Sequence, residues 1–339
     1  MKILFGIMSA VQAPETVASL VDALGPRHRV LIHHDWSQKP DFSLARPNVL
    51  YVNDPARTGW ADWGFSQGIL RLIEEGLERT EFDYFQLLSP TCMPIKPVKA
   101  FEDHLDSVGA DFLTDSIRLD SDPNVFMSHA WRAYAPAATF AHRILRRSRR
   151  WYFGRDEVTP NRAGLAFPSS SMADKGGIAG LRARVAFGIT SFAKRGIGVD
   201  HPFGADFPCY AGSTWFTASH KGCRYVIAKS KDRAFMEVFS RLYMGDEMLF
   251  PSLFMNSGMK CAPSPHLISQ FEQARPAWLQ SEDLDRLLSS PSFFARKFPE
   301  DPASEVRLAL IERLRQRVAG SETNVPPANS SLMTSPLSL

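Results

Sequence analysis

Ile3-Leu4-Phe5-Gly6-Ile7-Met8, followed by Pro14-Glu15-Thr16-Val17-Ala18-Ser19-Leu20-Val21-Asp22-Ala23-Leu24, is the stretch on which the fold turns. The first run has no charged residue and reads as a buried strand. In the second, Val17, Leu20, Val21 and Leu24 recur on one face of a helix that Pro14 opens. The alternation then continues outward. Arg29–His33 and Val49–Val52 read as short strands, and Ser66–Arg79 as a helix with Ile69, Leu70, Ile73 and Leu77 in phase. Tyr84–Leu88 is a further strand, Val98–Leu105 a short helix and Asp111–Thr114 a strand. Such repetition predicts an α/β fold: a Rossmann-like, mostly parallel central sheet flanked by helices. Ligands bind such sheets at the carboxyl ends of the strands, which places His34-Asp35, Ser89-Pro90-Thr91 and Asp115 beside a site. The turn Met8-Ser9-Ala10-Val11-Gln12 has no glycine, so the Gly-x-Gly-x-x-Gly signature of a nucleotide-dependent oxidoreductase is missing.

The second half is read the same way. His129–Arg150 has a helical pattern ending in Arg143, Arg146, Arg147, Arg149 and Arg150, and residues 154–177 are rich in Gly, Pro and Ser, as a long loop would be. Ser213–Ala218 reads as a strand, Lys221–Lys229 and Ala234–Tyr243 as helices, and Asp246–Asn256 as a helix with Asp246 as its N-cap. A last amphipathic helix covers Pro302–Val318, with Val306, Leu310, Ile311, Leu314 and Val318 in phase. The expected organisation is a single catalytic domain over 1–300, with a nucleotide-binding half at 1–120 and an acceptor and catalytic half at 121–300. A C-terminal helix at 301–319 and a disordered tail at 320–339 follow.

Composition narrows the classes. The 339 residues carry a formal charge of only +3, with 44% hydrophobic and 22% charged residues, which is the globular range and excludes nucleic acid as the expected partner. Cys92, Cys209, Cys223 and Cys261 lie far apart, without metal-ligand spacing, and a chain of this size needs no disulfide framework. The apolar run at Ile3-Leu4-Phe5 is too short for a signal peptide, and nothing approaches the ~20 apolar residues of a membrane span. The expected location is the cytoplasm, with peripheral contact to an anionic membrane through the Arg143–Arg150 cluster.

Several blocks then occur in a telling order. They are Ile32-His33-His34-Asp35, Thr58-Gly59-Trp60 with Trp63-Gly64-Phe65-Ser66, Asp83-Tyr84-Phe85-Gln86-Leu87-Leu88-Ser89 with Met93-Pro94-Ile95-Lys96, and Tyr210-Ala211-Gly212-Ser213-Thr214-Trp215-Phe216. Joined to Asp246-Glu247 and Phe294-Ala295-Arg296-Lys297-Phe298, this series resembles the core-2/I-branching β-1,6-N-acetylglucosaminyltransferase and peptide O-xylosyltransferase family over roughly residues 1–300. The resemblance implies a GT-A fold, a UDP-sugar donor and transfer with inversion to a hydroxyl of a glycan or lipid-linked acceptor. It gives Glu247 the look of the catalytic base, Arg275 and Lys297 that of the cations on the donor diphosphate, and Asp35 that of a contact to the nucleoside. Ser213 and Trp215 look like acceptor contacts. Two departures stand out: Cys92 occupies a position that is usually acidic in the family, and Arg275 matches only after a one-residue change of spacing. The membrane anchors and disulfides of animal relatives have no counterpart here, so a bacterial-type cytoplasmic enzyme is expected.

The chemistry suits these residue types. A carboxylate that takes the proton of an attacking alcohol contributes about 10²–10⁴-fold, and a position in the first turn of a helix helps keep it ionised. Cations aimed at the departing diphosphate lower the barrier without a metal, Arg as a bidentate fork and Lys as a compact charge. Asp120-Ser121-Asp122 is the competing metal motif, and the family resemblance argues against it. The reading is therefore a metal-independent inverting enzyme with no cofactor, moving N-acetylglucosamine in cell-envelope polysaccharide synthesis. The alternatives are a UDP-xylose-dependent transferase and a catalytically silent sugar-nucleotide-binding relative.

The blander readings have their own physical basis. An Asp-Glu pair opening a helix is commonly a cap, Lys297 could be a solvated cation, and Trp60 and Trp63 suit core packing better than sugar stacking. His33 and His34 suit a structural role at the end of their strand.

Overall fold

A computed structural model describes residues 1–59, 62–119, 177–178, 181, 184–185, 202–240, 242, 244–264, 267–269, 271–272 and 275–322, with 267–276 and 318–322 described in the backbone alone. Strand β1 (Ile3–Ser9) leads into α1 (Pro14–Leu24), β2 (Arg29–His34) and β3 (Val49–Tyr51). Next come α2 (Trp63–Arg79), β4 (Tyr84–Leu88), β5 (Met93–Pro94), α3 (Val98–Val108), β6 (Phe112–Leu113) and β7 (Ser116–Arg118). The second half supplies β8 (Tyr210–Gly212), β9 (Thr217–Ser219), α4 (His220–Ser230), α5 (Arg233–Ser240), α6 (Asp246–Met255) and β10 (Cys261–Ala262). Short strands β11 (Leu267–Ser269), β12 (Phe271–Glu272) and β13 (Arg275–Pro276) precede α7 (Leu284–Ser289), β14 (Phe294–Arg296) and α8 (Glu305–Glu322).

The central sheet runs β10-β6-β9-β4-β1-β2-β3, and β9 alone among these strands is antiparallel to its neighbours. The expected α/β architecture, mostly parallel with helices on both faces, is therefore present. Every residue of β1 is buried, and its side chains alternate between two cores. Ile3, Phe5 and Ile7 meet Val17, Leu20 and Val21 of α1 on one face; Leu4 and Met8 meet Ile69, Leu72 and Ile73 of α2 on the other. Each such side chain, fully buried, contributes about 1.5–3 kcal/mol, which is why the uncharged first run is a reliable strand. A Cβ on Gly6 would stand 2.5 Å from the Phe85 ring of β4, so the two central strands approach here only because this position is bare.

Some boundaries move for identifiable reasons. Helix α2 starts at Trp63 instead of Ser66, because Asp62 caps it by accepting from the Phe65 amide at 3.3 Å. Helix α6 has Gly245 at its N-cap position, so Asp246 is its first residue and not its cap. Helix α8 runs from Glu305 to Glu322, and its Val306 and Leu310 lie in the core that also holds α1. The strand expected over Ser213–Ala218 is two strands with a connection between them. Tyr210–Gly212 pairs with β7, while Thr217–Ser219 inserts between β4 and β6, and Ser213–Phe216 crosses from one sheet to the other. A side chain at Gly212 would collide with the carbonyl oxygen of Asp115, so this crossing demands glycine. Among the described residues no helix is long and apolar enough to cross a membrane.

Candidate active site

Strand order reverses between β1 and β4, and the carboxyl ends of β1, β2 and β4 meet there, where open parallel sheets receive ligands. Asp35 follows β2 at this edge and donates its amide to the Ser9 carbonyl at 3.1 Å. Its carboxylate is almost entirely buried and accepts from the Ser37 amide at 3.0 Å and hydroxyl at 2.6 Å. Gln38 Nε2 donates to it at 2.8 Å, and Thr58 gives its amide at 2.6 Å and its hydroxyl at 3.1 Å. Burial raises the carboxyl pKa, but the hydrogen bonds from Gln38, Ser37 and Thr58 outweigh it and hold the group down to about 2. These five bonds saturate a carboxylate, so Asp35 is spent on joining the turn after β2 to the 53–58 segment. His34 braces the same corner. Its Nε2 donates to the Lys39 carbonyl at 3.0 Å, which leaves Nδ1 to accept from the Ser9 hydroxyl at 3.1 Å, and its ring stacks on Phe42. His33 is fully buried, and its Nε2 accepts from the Ala56 amide at 2.9 Å.

The segment after β4 is locked to the one that carries Lys297. Strand β14 pairs with β5, placing Phe294 opposite Pro94 and Ala295 opposite Met93. Ile95 donates its amide to the Phe293 carbonyl at 2.8 Å, and Phe298 to that of Thr91 at 2.9 Å. Phe293, Phe294 and Phe298 are all buried and anchor the strand, so Arg296 and Lys297 are carried on a rigid mount. Lys297 is half-buried, with Nζ 4.1 Å from the centroid of the Trp278 ring. Burial and the repulsion of Arg296 push its pKa below the ordinary lysine value, with Glu300 opposing. The guanidinium of Arg296 lies 4.9 Å from the centroid of Trp215. Both cations thus rest on indole faces, an arrangement that keeps a charge in place without neutralising it.

Trp215 connects this mount to α6. It lies in the β8–β9 connection rather than on a strand, and its amide donates to the Ser213 hydroxyl at 3.2 Å. Its ring meets Phe65 edge-on. The preceding residue, Thr214, donates its hydroxyl to the buried carboxylate of Asp246, the first residue of α6. Ser252, further along the helix, exchanges hydrogen bonds with the Tyr210 backbone at 3.0 and 3.1 Å and holds α6 against β8. Glu247 is half-buried in the first turn of α6, adjacent to Asp246. The Thr214–Asp246 hydrogen bond and the Trp215–Arg296 contact therefore bring the start of α6, with Glu247 next in sequence, and the end of β14, with Lys297 next in sequence, to the two neighbouring residues Thr214 and Trp215.

Arg275 enters in the backbone alone, with Glu272 as its partner in the β12–β13 pair, three residues ahead of the tryptophan that carries Lys297. Asp115 follows β6, accepts from the Ser264 amide at 3.1 Å, and has its pKa raised by burial. Cys92 is completely buried, and its sulfur contacts the Ser89 amide at 3.4 Å and hydroxyl at 3.2 Å. Burial pushes this thiol up while Arg296, the Ser89 bonds and Arg307 oppose the shift, so a neutral thiol faces two arginines where the resembling family has an acid. None of Cys92, Cys209, Cys223 and Cys261 is joined to another by a disulfide. Trp60, Asp120, Asp122 and Arg143, Arg146, Arg147, Arg149 and Arg150 lie outside the described residues. Among the described residues no cluster of three or more His, Cys, Asp or Glu side chains is arranged for a metal ion.

Sequence reasoning did not single out Trp278, Thr214 or Arg307. Ring-to-cation contacts and a hydroxyl-to-carboxylate bond across 32 positions leave no local pattern. Arg296 stood beside Lys297 in the segment already quoted, and its neighbour's charge was the available signal.

No family model and no curated protein matches the sequence. Among solved structures, the chain is similar to galactosyltransferase LgtC in complex with donor and acceptor sugar analogues, at 12% identity over 96% of this chain and 98% of that one, with a TM-score of 0.39. It is also similar to mouse xyloside xylosyltransferase 1 in its apo form, at 9% identity over 87% and 97% of the two chains, with a TM-score of 0.34. Likenesses this low in identity and score leave the chemistry to be argued from the site itself.

Proposed function

We propose that this chain is an inverting glycosyltransferase of GT-A type that moves a sugar, N-acetylglucosamine in the first instance, from a UDP donor to a hydroxyl of a glycan or lipid-linked acceptor. Cell-envelope polysaccharide synthesis on the cytoplasmic side is the setting that goes with it. The observation that carries the reading is the meeting of the acidic start of α6 and the end of β14 at the neighbouring residues Thr214 and Trp215. It joins segments 50 residues apart that the proposed reaction needs on one site.

In this reading Glu247, in the first turn of α6, takes the proton of the attacking hydroxyl. Lys297 and Arg275 are assigned to the departing diphosphate, and a cation such as Lys297, already fixed in a half-buried site, stabilises growing negative charge without reorganising. Ser213 and Trp215 position the acceptor. Asp35, its oxygens occupied within the chain, serves the nucleoside end by holding the loop that lines it. The reaction as proposed uses no metal, because fixed side-chain charge takes the place a divalent ion would have.

Thermal-shift screening against UDP-N-acetylglucosamine, UDP-xylose and UDP-glucose identifies the donor, and hydrolysis of that donor then reports on the residues. Glu247→Gln should cut turnover by about 10²–10⁴-fold with nucleotide affinity nearly unchanged, and wild-type turnover should survive EDTA. A Glu247→Gln protein as active as the wild type would reduce the chain to a sugar-nucleotide-binding relative. Loss of activity on chelation, restored by Mn²⁺, would move the donor site to Asp120 and Asp122.

A further inference from the structure

Ile178, Leu181 and Val185 are helical and take no part in the site described above. They are 72%, 56% and 43% exposed. Single apolar side chains exposed on a surface are ordinary. These three are not scattered. Steps of three and four residues put them on one face of a helix, within an arc of about 60°. An aliphatic face turned to water gains free energy when another apolar surface covers it. Arg184, helical and exposed, belongs to the same turn as Val185.

Charge says what that covering surface is. The +3 of the whole chain hides an uneven distribution. Residues 143–199 hold twelve Lys and Arg against three Asp and Glu, so this segment stands at +9 and the remainder of the chain at −6. Between Asp174 and Asp200 there is no acidic residue, while Lys175, Arg182, Arg184, Lys194 and Arg195 fall in that interval. A second copy of the chain would bring like charge against like charge, which opposes self-association through this face at low salt. An anionic surface complements it instead. Aliphatic side chains interleaved with arginines suit the boundary of a bilayer, a fluid layer that needs no matching shape. There the apolar groups enter the acyl region and the long cationic side chains stay at the level of the phosphates.

We propose that the helical face of Ile178, Leu181 and Val185 docks this protein on an anionic lipid bilayer, with Arg184 and the basic residues around it in sequence meeting the headgroups. The aliphatic face makes this more than an electrostatic contact of the 143–150 cluster, because it adds buried apolar area to the attraction. Under the glycosyl-transfer reading it would hold the chain where a lipid-linked acceptor is displayed. The docking face stands without that reading, since binding to a bilayer needs no donor.

Co-sedimentation of the full chain with phosphatidylcholine vesicles, with and without a third of phosphatidylglycerol, tests it on two variants. One is Ile178→Ser/Leu181→Ser/Val185→Ser, and the other is Arg182→Gln/Arg184→Gln. The wild type should pellet with the anionic vesicles and far less with neutral ones, and raising NaCl from about 0.1 to about 0.5 M should weaken its binding. The triple serine variant should bind the anionic vesicles at least about tenfold more weakly, and the glutamine pair should lose a smaller factor. Melting curves should match the wild type, because the serines replace exposed side chains. Should the triple variant not fold, Ile178→Ser alone, at the most exposed of the three positions, must still pellet less than the wild type. A wild type that ignores anionic vesicles overturns the proposal. So does a triple variant that binds as tightly as the wild type, which would leave the contact to basic residues alone. A wild type that dimerises in sedimentation velocity through these three side chains, and does not bind vesicles, gives the face to a second copy and overturns it as well.

Discussion

Asp35 illustrates how one side chain can organise a site. Its two oxygens accept from Ser37, Gln38 and Thr58, so that it ties together residues 23 positions apart at the end of β2. Replacing it with asparagine turns one acceptor into a donor that faces the Thr58 amide or the Gln38 amide group. Asp35→Asn should therefore lose about 1–3 kcal/mol of stability in urea unfolding at neutral pH, since buried donors are left without acceptors. Because its folded pKa is held below the ordinary 3.8, its contribution is present above that value and disappears as pH falls through about 2. An Asp35→Asn protein as stable as the wild type at pH 7 would contradict this account of the loop. The residue was legible as important from its place at a strand end. That its oxygens are turned inward was not, because the partners come from two separate loops.

At the scale of elements, the mount that bears Arg296 and Lys297 is held from behind by α8. Arg307, in the first turn of that helix, is fully buried and reaches three segments at once. Its Nε donates to the Pro299 carbonyl at 2.7 Å and an NH2 group to that of Pro90 at 3.2 Å, while NH1 meets the Ser19 hydroxyl and the Met93 sulfur. Carbonyl and hydroxyl dipoles replace a carboxylate here, and burial lowers its pKa to about 10, which still leaves it charged at pH 7. Lysine keeps the charge but cannot span these acceptors, so Arg307→Lys should cost about 1–3 kcal/mol, read as a lower denaturation midpoint. An unchanged midpoint would mean that the helix is held by Val306 and Leu310 alone. The periodicity of 302–318 announced an amphipathic helix, and its apolar face does pack in the core. A buried arginine one position from Val306 breaks that pattern and reads, in one dimension, as a solvated charge. The β11-β14-β5 sheet was illegible for a related reason: strands of two or three residues are too short to show a period.

For the molecule as a whole, the buried imidazoles set the response to acid. Burial lowers the pKa of His33 from 6.5 to about 4, against the pull of its backbone hydrogen bond and Asp35, and His28, His34 and His104 move in the same direction. The folded state keeps these rings neutral, whereas the unfolded chain protonates them near pH 6.5, so the unfolded state binds more protons on acidification. Stability should be full above about pH 6.5 and decline as pH falls toward 4, by about 3 kcal/mol for His33 alone. Urea midpoints across that window test the slope, and His33→Gln, if it folds, should flatten it. A midpoint that rises on acidification would have the wrong sign for neutral buried histidines. By itself the sequence determined the central α/β layering, because apolar runs at strand and helix periods leave each element one way to bury its faces. It also marked the start of α6 and the 293–298 segment as stretches that hold charged residues. Only the tertiary structure decided that these meet through Thr214 and Trp215, that Asp35 is saturated, and that the Nε of Arg296 has no hydrogen-bond partner among the described residues. Pairing of charge, hydroxyl and ring depends on three-dimensional distance, which no local period encodes.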